Sequence, residues 1–172
     1  TLRLESFGHR IESAEIDYGT YYPEAFTTVW THALTRMGLD TDAEARLGEL
    51  AQWFLHRARS VAPQELALRV QQLNEFARGA GSQWAAYDVV LTPALAFDAP
   101  LIGEFWALGP EGDYRLQCEW APQTSMVNVA GLPAIAVPVS ADERGLPRGV
   151  QLIGRKGSET QLLQLAVQLL GE

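Results

Sequence analysis

Tyr87-Asp88-Val89-Val90-Leu91-Thr92-Pro93 is a short apolar run stopped by a proline. Three aliphatic residues in succession, with no polar alternation, give the pattern of a strand buried on both faces. Such a strand needs other strands beside it and helices above and below, and the flanking sequence offers both. Downstream, Ala134 to Val139 and Gly149 to Ile153 read as two more strands. The turn region between them holds Gly145 and Pro147, and roughly nine loop residues separate them, so they form a candidate hairpin. Ala121 to Ala130 reads as a helix. Ser158, with Gln161 three residues later, makes a capping box for a final helix whose apolar face is Leu162, Leu163, Leu165, Ala166, Leu169 and Leu170.

Upstream of Tyr87 the pattern is helical. Pro23 suits a first turn, and Phe26, Val29, Trp30, Ala33, Leu34 and Met37 recur at helical spacing up to Gly38. Thr41 or Asp42 caps a second helix running through Leu47, Leu50, Phe54 and Leu55, and Pro63 opens a third through Leu66, Leu73 and Phe76. Gly79-Ala80-Gly81-Ser82 then reads as a helix end and turn. His9 to Ile16 alternates loosely and is expected to be a strand leaving the short helix that ends at Gly8. That opening helix, beginning at Thr1 without a methionine, is expected to start before residue 1, which makes the chain a fragment; methionine removal from a small complete protein is the other reading. Ala94 to Pro122 is rich in Gly, Pro and aromatics without a period, as pocket-lining loops are. No repeat divides the chain, so one α/β domain over residues 1–172 is the simplest organisation, with 1–86 mainly helical around one strand and 87–172 carrying strand, pocket loop, hairpin and last helix.

Composition narrows the function classes. A 172-residue chain that is 47% hydrophobic has ample material for a core. Its formal net charge of −8 offers no attraction to nucleic acid or anionic lipid. The apolar runs fall far short of the roughly 20 residues that span a membrane. The lone Cys118 forms no internal disulfide, which fits a reducing, cytoplasmic setting. His9, His32 and His56 are widely spaced singletons, so no metal site is expected, and no nucleotide or cofactor fingerprint occurs. The carboxylate pairs Glu12 with Glu15 and Asp142 with Glu143 lie in polar surroundings and are expected to be solvated.

The most specific signal is a composite. After residues 87–93 come Asn128-Val129-Ala130-Gly131-Leu132-Pro133-Ala134 and then Gly145-Leu146-Pro147-Arg148-Gly149-Val150-Gln151-Leu152-Ile153-Gly154. In physical terms, Gly131 and Pro133 break a helix, while Gly145, Pro147 and Gly149 shape the approach to a strand. In this order and spacing the sequence resembles the amidase signature family, whose members end with a Pro-stopped buried strand, an Asn-x-x-Gly-x-Pro-Ala turn, a Gly-Leu-Pro-x-Gly turn and a Gln-x-x-Gly strand. The likeness is close from Tyr87 to Glu172 and looser before it. The opening Leu4 to Ile11 is similar to the helix-to-strand step that follows the family's catalytic core.

The resemblance implies an α/β fold with a mixed sheet flanked by helices, the C-terminal part of an α/β/α architecture. It further implies an amidohydrolase that cleaves a carboxylic amide through a serine acyl-enzyme, using a Ser, cis-Ser, Lys triad in a Gly- and Ser-rich region. That region is not in this sequence: the one lysine is Lys156, in a loop before the last helix, and no paired-serine motif occurs. Catalytic residues are therefore expected upstream, with none here, and the fragment alone is expected to be inactive. By analogy with the family's pocket-facing segments, Trp106, Trp120, Gln123 and Thr124 are the candidate substrate-binding residues. The expected partners are a small-molecule amide and the missing N-terminal part of the same enzyme, with a homodimer left open, no nucleic acid, no membrane and no cofactor. Two alternatives stand beside this one, a non-catalytic binding or structural domain on the same scaffold and a glutamyl-tRNA amidotransferase A-type subunit. Ala121 lies seven positions before Asn128, where glutamine users carry an acid, and argues against the second.

Overall fold

A computed structural model describes residues 1–171. Its centre is a three-stranded antiparallel sheet in the order β1-β3-β2, with β1 Val89–Pro93, β2 Ala134–Ala141 and β3 Pro147–Gly154. Strand periodicity sends alternate residues to opposite faces, and register aligns them across the sheet. Val90 and Thr92 stand opposite Ile153 and Gln151, while Leu91 and Ile135 flank Leu152. Each face has its own core. One packs Val90 and Ile153 beneath Met126, Val127, Tyr22, Ala25, Leu73 and Trp84. The other packs Val89, Leu91, Leu152, Ile135 and Val137 on Leu4, Leu162, Ala166 and Leu169.

The helices assigned to these layers are α1 Leu2–Ser6, α2 Tyr22–His32, α3 Thr41–Ala45, α4 Glu49–Ser60, α5 Pro63–Gln83, α6 Gly109–Trp120, α7 Thr124–Ala130 and α8 Glu159–Leu170. The first core face is roofed by α2, α5 and α7; α1 and α8 cover the second. Outside α2, helices α4 and α6 meet through Phe54 and Tyr114, edge to face at 5.3 Å. The α/β class and the helix-flanked sheet agree with the reading of the sequence, and the hairpin of the two late strands forms. Among the described residues no helix is long and apolar enough to cross a membrane.

Several local expectations are corrected. Residues 9–16 form no strand and find no partner strand among the described residues. The second helix is two: α3 ends with Arg46 as its C-cap, and Gly48, in an extended conformation, N-caps α4. The cap of α3 is Asp40, whose Oδ1 accepts from the Ala43 N–H at 2.8 Å, rather than Thr41 or Asp42. Helix α5 runs straight through Gly79-Ala80-Gly81-Ser82 to Gln83. Ala80 and Trp84 are buried there, and this packing outweighs the helix cost of about 1 kcal/mol per glycine.

The segment 94–122 is not a plain loop. Pro110 opens α6, after a 3-10 turn over Trp106–Leu108. The capping box at Ser158 does not form, since its Oγ donates instead to the Arg155 carbonyl at 2.7 Å. On α8 the buried stripe is Leu162, Ala166 and Leu169, whereas Leu163 and Leu170 face outward. Asp142 is not merely solvated. Its Oδ1 accepts from the N–H groups of Arg144 and Leu146 at 2.9 and 2.8 Å, and these bonds with the Arg144 guanidinium hold its carboxyl below the usual range. It thereby shapes the β2–β3 turn, where Gly145 takes the left-handed φ of +80°.

Candidate functional site

The polar groups of the domain gather where β1 ends and α7 begins. Thr92, the last inward-facing residue of β1, is 5% exposed and would be an unsatisfied hydroxyl in an apolar layer. Its cross-strand neighbour Gln151 supplies the partner, donating from Nε2 to Thr92 Oγ1 at 3.2 Å and reaching the Gln123 carbonyl at 3.5 Å. Gln151 thus ties the centre of the sheet to the turn before α7. Residues 120–125 are all half-buried.

Thr124 donates from Oγ1 to the Ala121 carbonyl at 3.0 Å and so closes the turn, while its own carbonyl accepts from Asn128 Nδ2 at 3.2 Å. From the α2 side, Tyr22 donates its hydroxyl to Ser125 Oγ at 2.9 Å, and Tyr18 donates to the Pro122 carbonyl at 3.1 Å. An aromatic row positions these two phenols: Tyr18 stacks on Phe76, and Tyr22 lies between Phe76 and Phe26. Burial pushes the Tyr22 phenol up to about 12, although the bond to Ser125 pulls it down.

The raised value has a measurable consequence. The unfolded phenol titrates near 10 and the folded one near 12, so this stability is whole below pH 10 and is lost as pH rises through 12. Tyr22→Phe removes the titrating group, and its melting temperature is expected to fall less steeply over that window than the parent's; equal slopes would show that the phenol is not buried as described.

Trp120 sits at the other side of the turn. Its ring meets Phe97 at 4.7 Å and Phe105 at 5.1 Å, and its Nε1 donates to the Asp98 carbonyl at 2.9 Å. The Ala96 N–H donates to the Trp120 carbonyl at 2.8 Å, which fastens the segment leaving β1 to the end of α6. Trp106 lies apart from this group. It is 72% exposed and borders a groove of about 620 Å³ with Leu50, Phe54 and Asp113.

Of the four residues named from the sequence, the structure therefore brings Trp120, Gln123 and Thr124 to one turn and places Trp106 over another groove. Thr92, Gln151, Tyr22 and Ser125 were not singled out as site residues. For Thr92 and Gln151 a signal existed, since each is a polar residue on an otherwise apolar strand. For Tyr22 and Ser125, 103 residues apart in sequence, there was none.

This arrangement can hold a ligand through hydrogen bonds and aromatic faces, but it contains no nucleophile with a base. Among the described residues no Lys, His or carboxylate bonds to Ser125, whose recorded partner is Tyr22. Lys156 follows Gly154, which pairs with Val89 at the opposite end of β1 from Thr92. That separation is about 10 Å along the strand. Among the described residues no three His, Cys, Asp or Glu side chains gather as a metal site.

The model of the family described as Amidase matches residues 3–163. A protein of Synechocystis sp. that carries an amidase name is 30% identical over 165 residues, covering 96% of this chain and 31% of the relative. The AmiC protein of Mycobacterium leprae, also named as an amidase, is 30% identical over 180 residues, covering 96% and 37%. In structure, a 6-aminohexanoate cyclic dimer hydrolase superposes with a TM-score of 0.80 at 25% identity, covering 99% of this chain and 39% of its own. The chain spans about a third of the length of the curated relatives it matches. On its turn motifs, its two-faced sheet and a family match across nearly its whole length, the chain belongs to the amidase family.

Proposed function

We propose that the protein hydrolyses a carboxylic amide through a serine acyl-enzyme, and that these 172 residues build a substrate-binding wall for catalytic groups carried elsewhere in the same polypeptide. The observation that carries this reading is the family match over residues 3–163 in a domain where, among the described residues, no serine hydrogen-bonds to a Lys, His or carboxylate. In the reaction a serine oxygen attacks the amide carbonyl, its proton passes through a bridging serine to a lysine, and the amine leaves with a proton. Water then releases the acid and regenerates the serine. Trp120, Gln123 and Thr124 supply the aromatic face and polar turn against which the amide lies, and Trp106 flanks the approach. A small, weakly polar amide fits this wall better than glutamine, since Ala121 offers no carboxylate for an amino group. A reducing, cytoplasmic setting keeps Cys118, a free and exposed thiol, in that form.

The full-length protein is expected to release amine from short acyl anilides and from linear or cyclic amides of 6-aminohexanoate, the compound named for the structural neighbour, and to leave glutamine intact. No hydrolysis of any of these would instead favour a non-catalytic domain on the amidase scaffold.

A further inference from the structure

A groove between α4 and α6, apart from the turn that holds Gln123 and Thr124, combines a buried carboxylate with aromatic walls. It encloses about 620 Å³, a size typical of small-molecule sites, and is lined by Glu49, Leu50 and Phe54 on one side and by Trp106, Asp113 and Gln117 on the other. Asp113 is only 4% exposed. Gln117, one turn further along α6, donates from Nε2 to Asp113 Oδ1 at 2.7 Å, and Oδ2 has no partner among the described residues. An ionised carboxyl offers about four acceptor sites, so one amide leaves most of its bonding capacity unused.

Gly112 brings the far wall in. A Cβ there would stand 2.5 Å from the Leu108 Cβ, so its absence lets the 3-10 turn of Trp106–Leu108 lie close against α6. Trp106 borders the groove yet stays 72% exposed, which leaves apolar surface for a ligand to cover. No Lys, Arg or His lines the groove, and neither Glu49 nor Asp113 forms an ion pair among the described residues. The groove is therefore negative, in a chain of net charge −8. It lacks a metal's donor set, since no three His, Cys, Asp or Glu side chains gather among the described residues. A carboxylate beside aromatic rings suits an organic cation instead: the carboxylate balances the charge, and Phe54 and Trp106 attract both the cation and its apolar stem.

We propose that this groove binds a primary ammonium carried on an unbranched apolar stem, with Asp113 as its counter-ion. The ammonium donates to Asp113 Oδ2 while Gln117 keeps Oδ1, and the stem lies along Leu50, Phe54 and Trp106. Asp113, Gln117 and Trp120 follow one another at i, i+4 and i+7 on one face of α6, about 10 Å from end to end. The cation is thus either the far end of an amide substrate resting on Trp120 or a separate amine. The site stands without the amidase reading; its link to the substrate rests on that reading.

Calorimetric titration of the full-length protein with hexylammonium, and with hexan-1-ol as its uncharged counterpart, tests the site. Hexylammonium is expected to bind at least about 10-fold more tightly than the alcohol, and Asp113→Asn is expected to remove that preference. Equal affinity for the two ligands, or a preference that survives in Asp113→Asn, overturns the proposal. If Asp113→Asn does not fold, the exposed position decides: Trp106→Ala is expected to weaken hexylammonium about 3-fold, and an unchanged affinity places the cation elsewhere and overturns the proposal. Hydrolysis then identifies the source. If the cation is the substrate's own end, the KM for 6-aminohexanoyl anilide lies about 10-fold below that for hexanoyl anilide, and Asp113→Asn levels the two with kcat unchanged. Equal KM values beside an intact ammonium preference give the site to a separate amine. Ammonium binding in a protein that hydrolyses no amide sinks only the activity; hydrolysis without an ammonium preference sinks only the site.

Discussion

Leu152→Ala is expected to lower the free energy of unfolding by about 2–5 kcal/mol. Leu152 is fully buried in the middle strand, flanked by Leu91 on β1 and Ile135 on β2, and its side chain meets the α8 face that carries Leu162, Ala166 and Leu169. Three elements close around it, so the space left by the lost methyls cannot collapse without moving a strand or a helix. Leu163→Ala is the control. That side chain is 58% exposed on the opposite side of α8, and its loss is expected to change stability by less than about 0.5 kcal/mol. Denaturant titration of both variants checks the pair. A cost for Leu163→Ala as large as that for Leu152→Ala would mean that the outward face of α8 is covered in the intact protein and the sheet face is not its main contact.

The second large effect is expected on substrate use. Trp120→Ala in the full-length protein should raise KM for an amide substrate about 10- to 100-fold, equivalent to roughly 1.4–2.8 kcal/mol of lost binding, with a smaller change in kcat. The indole braces Phe97 and Phe105 and holds the Asp98 carbonyl through Nε1, so its removal takes away a face and loosens the segment that leaves β1. Trp120→Phe separates these contributions, because it keeps an aromatic face and loses the hydrogen bond. A lowered melting temperature with unchanged KM for Trp120→Ala would make Trp120 a packing residue and remove it from the substrate wall.

How much of this was legible in the sequence depends on where the forces act. Val89 to Leu91 announced a strand between two layers because three consecutive aliphatic residues have to bury both faces, and the structure puts a core on each. Gly131 was readable as a helix stop since its φ of +62° is the left-handed value that a break before Pro133 calls for. Longer-range effects were hidden. Helix α5 continues through two glycines because Ala80 and Trp84 are anchored by the core, which local propensity does not see. Residues 9–16 have the loose alternation of a strand and, among the described residues, no strand beside them, so the pattern is present without the hydrogen bonds that would realise it. Within the site, the Gln123-Thr124 turn could be placed from the motif that follows it, whereas the Tyr22–Ser125 and Thr92–Gln151 bonds join residues far apart in the chain and needed the fold to bring them together.

The proposed division of labour puts binding groups in these 172 residues and the nucleophile outside them. Treating the full-length protein with a serine-directed fluorophosphonate, then mapping the adduct by peptide mass spectrometry alongside amide hydrolysis, tests it most directly. One modified serine is expected, located outside these 172 residues, with activity lost in step with its modification. Modification of Ser125, or of any other serine within these residues, in step with loss of activity would contradict it.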